Sequence, residues 1–278
     1  MENIFTFFKS TIIIMIPIFY AAVGGLFPAL AGSLNIALEG LILISAFSSF
    51  AVYYFSGSII AAIISACLAA VLLAVLHSFA AFKLKANLFI TGIAINLLSS
   101  GLCAVLSDKL FNTKGVVALT EKTSNLMEWY IILGLFLLLV TWITIYKTPF
   151  GYRLRSCDKN SQSLISLGIN PKKYQSAAII ISAFFCGIGG SFLSLNINAY
   201  VPEMSAGRGW IALALIFLGF RKPVIVFIAA LIFALAEGYS NYAQGFFDIP
   251  SGFVLAFPYI CSLFAIIVVS IVPKKSSL

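Results

Sequence analysis

Apolar residues run along this chain in blocks of about twenty, and polar residues collect in the short stretches between them. The blocks cover residues 11–30, 34–54, 57–81, 88–107, 128–146, 174–198, 207–219, 223–242 and 251–272. A helix of about twenty apolar residues spans the hydrocarbon core of a bilayer. The pattern therefore predicts eight or nine helical spans, with 207–219 short for a full crossing and read as a half-helix. The expected fold class is all-α: a polytopic membrane helical bundle with interrupted helices, in which residues 1–278 form a single transmembrane domain with no soluble domain attached. The first block leads directly into another without a small-residue cleavage site, so a cleaved signal peptide is not expected.

One block carries charge. "GSLNIALEGLILISAF", residues 32–47, places Asn35 and Glu39 four apart, on one helix face. A carboxylate at bilayer depth costs about 2.5–3.5 kcal/mol on insertion scales, so it needs a reason to be there. Gly32-Ser33 interrupts the block, and Ser33 or Asn35 can cap the helix that follows. Glu39 then falls in the first turns, where the helix dipole favours a negative charge. A break at membrane depth is tolerated only where protein buries it or where it lines a cavity. Residues 205–215, "SAGRGWIALAL", read as a second small-and-polar break followed by an apolar helix, entering from the other side. The two breaks would suit a pseudo-symmetric pair of half-helices. Asn96, Asn196 and Asn198 are further polar groups at or near membrane depth.

Composition agrees with a bilayer setting. Only 9% of residues are charged and 62% are hydrophobic, with a mean hydropathy of +1.09. A soluble domain carries about 25% charged residues and could not cover its surface with so few. The net charge of +8 is unevenly spread. Lys83 and Lys85 fall in one connection, six basic residues between Lys147 and Lys173 in another, Arg221 and Lys222 in a third, and Lys274 and Lys275 near the C-terminus. Asp158 is the one acid among these twelve basic residues. The opposite connections hold Lys9, Lys109, Lys114, Lys122 and Arg208 with six acids. Cytoplasmic loops carry the Lys/Arg excess, which assigns the first set, and with it the C-terminus, to the cytoplasm. Residues 11–54 crossing twice would place the N-terminus outside. The positive charge is thus a topology signal rather than a nucleic-acid footprint.

Enzyme chemistry finds little support. One histidine, His77, rules out an H-E-x-x-H site, and it reads as structural or interfacial. No glycine precedes a lysine, so a Walker A loop is absent and any ATP must be bound by a partner. Cys67, Cys103, Cys157, Cys186 and Cys261 are scattered, without C-x-x-C spacing, and read as small apolar fillers or free thiols. No metal ligands and no catalytic residues are assigned.

The longest polar segment, residues 147–175, is "KTPFGYRLRSCDKNSQSLISLGINPKKYQ". "TPFG" starts a turn, and "YRLRSCDKNSQSLISLGI" can form one short amphipathic helix with Leu154, Leu164, Ile165 and Leu167 apolar. Gly168 suits its C-terminus, and Asn170-Pro171 cannot continue it. The plain alternative is an anchoring basic loop; the sharper reading is a helix shaped to dock into another protein's groove.

This segment resembles the T-x-x-G-x-x-x-R-A-x-G-x-N-x-x-A-A-x-x-x-G-I-x stretch of ABC-transporter permeases of the branched-chain amino acid, simple sugar and nucleoside group. "NIALEG" resembles the N-I-G-x-E-G signature of the nucleoside branch, in which the binding protein is a membrane-anchored lipoprotein. "SAGRGWIALALIFLG" resembles its G-R-G-x-I-A-L-A-x-x-x-x-G. The chain departs from the loop pattern at Ser156, Asp158, Ser163 and Leu164. The resemblance implies an importer's permease, the shorter of two, in the cytoplasmic (inner) membrane. It would pair with a second permease, ATP-binding cassette subunits that hold ATP and Mg, and an extracytoplasmic binding lipoprotein. It implies ATPase coupling for Thr148, Gly151, Arg153, Arg155, Asn160, Gly168 and Ile169. It also implies a substrate pathway near Asn35, Glu39, Gly40, Gly207, Arg208 and Gly209, with Asn96, Asn196 and Asn198 as second candidates.

Purine nucleosides are the favoured cargo, with simple sugars or branched-chain amino acids as the alternative. Glu39 has two readings at this point: contact with a neutral nucleoside, or a clamp that binds backbone amides at the break. A proton-coupled secondary transporter using Glu39 or Glu237 is a different class, separated from the first by ATP dependence. A membrane assembly protein without transport gives no reason for polar breaks in two spans.

Overall fold

Apolar length and capping residues together set the elements. The computed structural model describes residues 2–119 and 126–243. Its helices are α1 (Glu2–Leu30), α2 (Leu38–Ser56), α3 (Ile59–Ser78), α4 (Leu88–Phe111), α5 (Met127–Lys147), α6 (Pro149–Lys159), α7 (Ser161–Ser166), α8 (Pro171–Ile197), α9 (Arg208–Leu218) and α10 (Pro223–Ala243). A π-helical turn, Phe79–Lys83, prolongs α3. Seven of these helices, among the described residues, are long and apolar enough to cross a membrane, and α9 is a shorter apolar helix. The protein is a multi-pass helical bundle, as its hydrophobic pattern requires. The block at 251–272, and with it Lys274, Lys275 and the C-terminus, lies outside the described residues.

Local sequence explains most of the ends. Asn87 accepts bonds from the Phe89 and Ile90 amides to open α4, and Asn112, in the left-handed region at φ 52°, closes it. Gly57 closes α2 in the same conformation, and the Ser58 hydroxyl caps α3. Thr148-Pro149 and Asn170-Pro171 open α6 and α8, the proline occupying a position where no amide donor is needed.

The bundle has an interior and a shell. In the spanning stretches of α1 and α8, 83% of residues are buried, against 22% for α4 and α5, so the latter form the outside of the bundle. Glycines let α8 approach three helices at once. A Cβ on Gly187 would lie 2.6 Å from Cys67 of α3, one on Gly189 3.1 Å from Pro17 of α1, and one on Gly190 2.6 Å from the Ile42 carbonyl of α2. Close backbone approach through small residues is how helices associate in lipid, where no hydrophobic force drives them together.

The basic connections gather at one end. Gln175 donates to the Ala31 carbonyl, Ser78 bonds Ser176, and Arg221 pairs with Asp158. At the other end, β1 (Val117–Ala118) pairs antiparallel with β2 (Ala199–Tyr200), while Phe111 packs on Tyr54 and Phe55. Helix α1 ends on the basic side and the chain returns from it through residues 31–37 into α2, so residues 6–56 cross twice.

Two expectations need correction. The interruption after α1 runs through Ala37, so α2 begins four residues later than the apolar block that predicts it. Its N-cap position, Ala37, has no side-chain cap; Ser33 instead donates to the Pro28 carbonyl. The segment after Tyr152 is two helices rather than one, because Asn160 adopts φ −140°, ψ 51° between α6 and α7. Asparagine competes with helix by bonding in non-helical conformations, and here its carbonyl restarts the chain by accepting from Leu164.

Candidate functional site at the meeting of two helix breaks

After α8 the chain does not stay at the surface. Residues 198–207 fold back into the bundle through turns, with Tyr200, Met204 and Ser205 buried. Gly207, at φ 82°, then starts α9. The 11 residues of α9 span about 16 Å and end at the basic side, so its N-terminus lies near mid-depth of a core about 30 Å thick. The start of α2 arrives at the same level from the opposite direction. The two helix N-termini meet there.

Glu39 sits between them. Its Oε1 accepts from the Gly207 amide at 2.8 Å and its Oε2 from the Gly209 amide at 2.7 Å. The amides of a helix's first turn lack partners within the helix and carry partial positive charge. One carboxylate therefore bonds two exposed donors of α9 while standing in the first turn of α2. The contact is so close that a Cβ on Gly209 would strike the backbone of Leu38 and Glu39. Both carboxylate oxygens are occupied by backbone, which is the clamp geometry.

The start of α2 is capped from elsewhere in the fold. Asn96 of α4 accepts from the Gly40 amide at 2.8 Å and donates to the Ile36 carbonyl at 3.0 Å. Asn35 accepts from the Ala37 amide and donates to Ser182 of α8 at 2.7 Å. Gly40 allows α4 to come near, since a Cβ there would be 2.7 Å from both the Asn96 Cα and the Ser99 hydroxyl. Truncating Asn96 to alanine leaves a donor and an acceptor without partners. We expect a loss of about 2–3 kcal/mol, read as a fall in melting temperature of the purified protein; an unchanged melting temperature would show that the start of α2 holds without it.

Arg208 points away from this knot. Its guanidinium donates to the carbonyls of Met204 and Ser205, at 3.0 and 3.2 Å, and lies in electrostatic range of Glu237 on α10. Its Nε and the Ser205 hydroxyl are buried with no hydrogen-bond partner among the described residues. A buried polar atom left unpaired is costly. Glu237 is half-buried. Asn196 and Asn198 do not join the knot. Asn198 ends α8 at φ 56° and accepts from Leu119 near the strand pair, and Asn196 stands in the last turn of α8 before it.

The second candidate region is α6 and α7 on the basic side. Thr148 caps α6 by accepting from the Gly151 amide at 3.2 Å. A Cβ on Gly151 would run into the carbonyls of Thr144 and Ile145, so glycine sets the sharp turn from α5. Arg155 stacks on the rings of Tyr146 and Tyr152, at 5.2 and 5.0 Å, which fixes a cation in place. Arg153 donates to the Tyr174 hydroxyl. Leu154 and Leu164 are buried, whereas Ile165 and Leu167 are 62% and 75% exposed. Gly168 turns the chain at φ 74° and leaves open space around it, and Ile169 is half-buried. The Cys157 thiol donates to the Arg153 carbonyl, and burial pushes its pKa up, so it stays protonated and structural. His77 is buried in α3, and among the described residues neither ring nitrogen has a hydrogen-bond partner.

Three contributors escape a reading by sequence: Ser182, Ser205 and the Asp158–Arg221 pair. A solitary acid among twelve basic residues was the available signal for Asp158. The serines, being small and common, gave none.

Comparison with known proteins fits these features. Residues 7–272 match the family described as branched-chain amino acid transport system / permease component. The guanosine ABC transporter permease protein NupQ of Bacillus subtilis is 30% identical over 92% of this chain and 89% of its own length. The nucleoside ABC transporter permease protein NupC of Lactococcus lactis is 26% identical over 94% of this chain and 90% of its own length. Among solved structures, PsaBC from Streptococcus pneumoniae shares the fold, with a TM-score of 0.57 at 13% identity, covering 97% of this chain and 92% of that one.

Proposed function

The chain belongs to the family of branched-chain amino acid transport system permease components, and from that premise we propose that it is a membrane subunit of an ATP-driven importer of nucleosides. The observation that carries this reading is the pair of helix breaks meeting at mid-depth, tied by Glu39 to two backbone amides. Irregular backbone at that depth is tolerated only where protein shields it or where it lines a cavity, as it would along a translocation route. Relatives named for guanosine and nucleosides, at 30% and 26% identity over nine-tenths of the chain, support the cargo class.

In this reading Glu39, Asn35 and Asn96 hold the breaks in register, while cargo is met by Arg208 and Ser205. The free Nε and hydroxyl there suit the carbonyl and ribose oxygens of a neutral nucleoside. Helices α6 and α7 face the cytoplasm and carry Ile165 and Leu167 to an ATP-binding subunit, with a second permease and a binding lipoprotein completing the importer in the cytoplasmic membrane. ATP and Mg belong to that partner.

The test is uptake by proteoliposomes holding the chain with its partner subunits. Labelled guanosine is expected to accumulate only with internal ATP, and unlabelled nucleosides, not ribose, glucose or leucine, are expected to compete. Competition by a sugar or by leucine would replace the cargo class. Uptake driven by a pH gradient without ATP would replace the importer with a secondary transporter.

A further inference from the structure

Asp158 is the one acid among the twelve basic residues of the basic-side connections, and its surroundings show what it meets. The carboxylate pairs with Arg221 at 3.0 Å, in the turn between α9 and α10. It also lies against the turn after α1, where a Cβ on Gly32 would be 2.6 Å from its Oδ1. One side chain of α6 thus touches the basic-side ends of both interrupted segments. Their other ends are joined by Glu39 at mid-depth. From Arg221 the route up is α9 itself, one uninterrupted helix of 11 residues.

The turn that carries Arg221 is not in a relaxed conformation. Phe220 and Arg221 are successive non-glycine residues in the left-handed region, at φ 51° and 56°. Such residues persist only where surrounding contacts hold them. The Arg221 amide bonds the Ile216 carbonyl, and its guanidinium bonds Asp158.

We propose that the Asp158–Arg221 pair is the link through which α6 moves α9, delivering displacement of the coupling segment to the knot at Glu39. This rests on the importer reading for its purpose, but the mechanical link can be tested apart from transport. Both side chains are more than a third exposed, at 37% and 39%, so the attraction is screened and the effects expected are modest.

The measurement is hydrogen exchange at the amides of residues 205–211 in the assembled complex, beside cargo moved per ATP hydrolysed. Asp158→Asn and Arg221→Gln should each speed exchange at Gly207 and Gly209 about three- to fivefold, and the double variant should do no more than either. The reversed pair, Asp158→Arg with Arg221→Asp, should recover at least half of the protection. A purely local role would leave residues 205–211 unchanged while exchange rises only at 219–222, and that result would overturn the link. So would additive single effects or a reversed pair no better than the worse single variant. A wild-type complex that moves no cargo with ATP would count against the importer reading instead, and the exchange data would still decide the link.

Discussion

Replacing Glu39 with alanine is expected to unseat α9 from α2. The substitution removes two charge-assisted bonds, at 2.8 and 2.7 Å, and leaves the Gly207 and Gly209 amides without acceptors. At about 1.5–3 kcal/mol for each bond to a charged group, the loss is about 3–6 kcal/mol. Glu39→Gln should cost roughly half as much, because the amide oxygen keeps one amide while the NH2 group faces the other donor. The measurements are the melting temperature of the purified complex and nucleoside uptake, taken together. Clamping predicts that stability falls in both variants, further for alanine, with uptake following stability. A Glu39→Gln protein that melts normally but loses uptake would move Glu39 from clamp to cargo contact. Normal melting and uptake in both variants would leave the carboxylate without a role.

The second large effect is expected at Gly151. In Gly151→Ala the new methyl would occupy space held by the Thr144 and Ile145 carbonyls, both backbone, so the neighbours cannot turn aside. Overpacking of this kind costs about 1–3 kcal/mol. Here the strain is relieved most cheaply by swinging the start of α6 away from α5. That would displace the Thr148 cap and the Arg155 stack on Tyr146 and Tyr152. We expect cargo-stimulated ATP hydrolysis by the reconstituted complex to fall at least tenfold while the chain still inserts and assembles. Stimulation within twofold of wild type would show that the turn can open without consequence, and that the α5–α6 angle is not part of coupling. Gly168→Ala makes a useful contrast: its glycine is required by φ 74° rather than by crowding, so the cost there should stay near 1 kcal/mol.

The two sites differ in how far sequence reaches them. Thr148, Gly151, Gly168, Asn170 and Pro171 act on neighbours within a few residues, and capping rules apply to them directly. Asn160 was visible as a residue of the same segment, but its effect, splitting one helix into two, depends on which apolar residues find a place in the bundle. Leu154 and Leu164 do; Ile165 and Leu167 do not.

By itself the sequence determined that this protein lives in a bilayer as a bundle of long apolar helices, which connections carry the basic residues, and which two runs are interrupted. Those properties follow from the length of apolar runs, the placement of Lys and Arg, and the small and polar residues that interrupt two of the runs at 32–33 and 205–209. Only the tertiary structure decided what the polar residues at the breaks do. Glu39 could reach for cargo or for backbone, and the fold sets its two carboxylate oxygens on the amides of Gly207 and Gly209, 168 and 170 residues away. Asn96 caps a helix to which it does not belong, and Asp158 meets Arg221 across 63 residues. A buried donor must find an acceptor, but hydrogen-bond chemistry does not say which one. That choice is made by packing: α8 with its glycines at the centre, drawing α1, α2 and α3 close enough for the two breaks to meet.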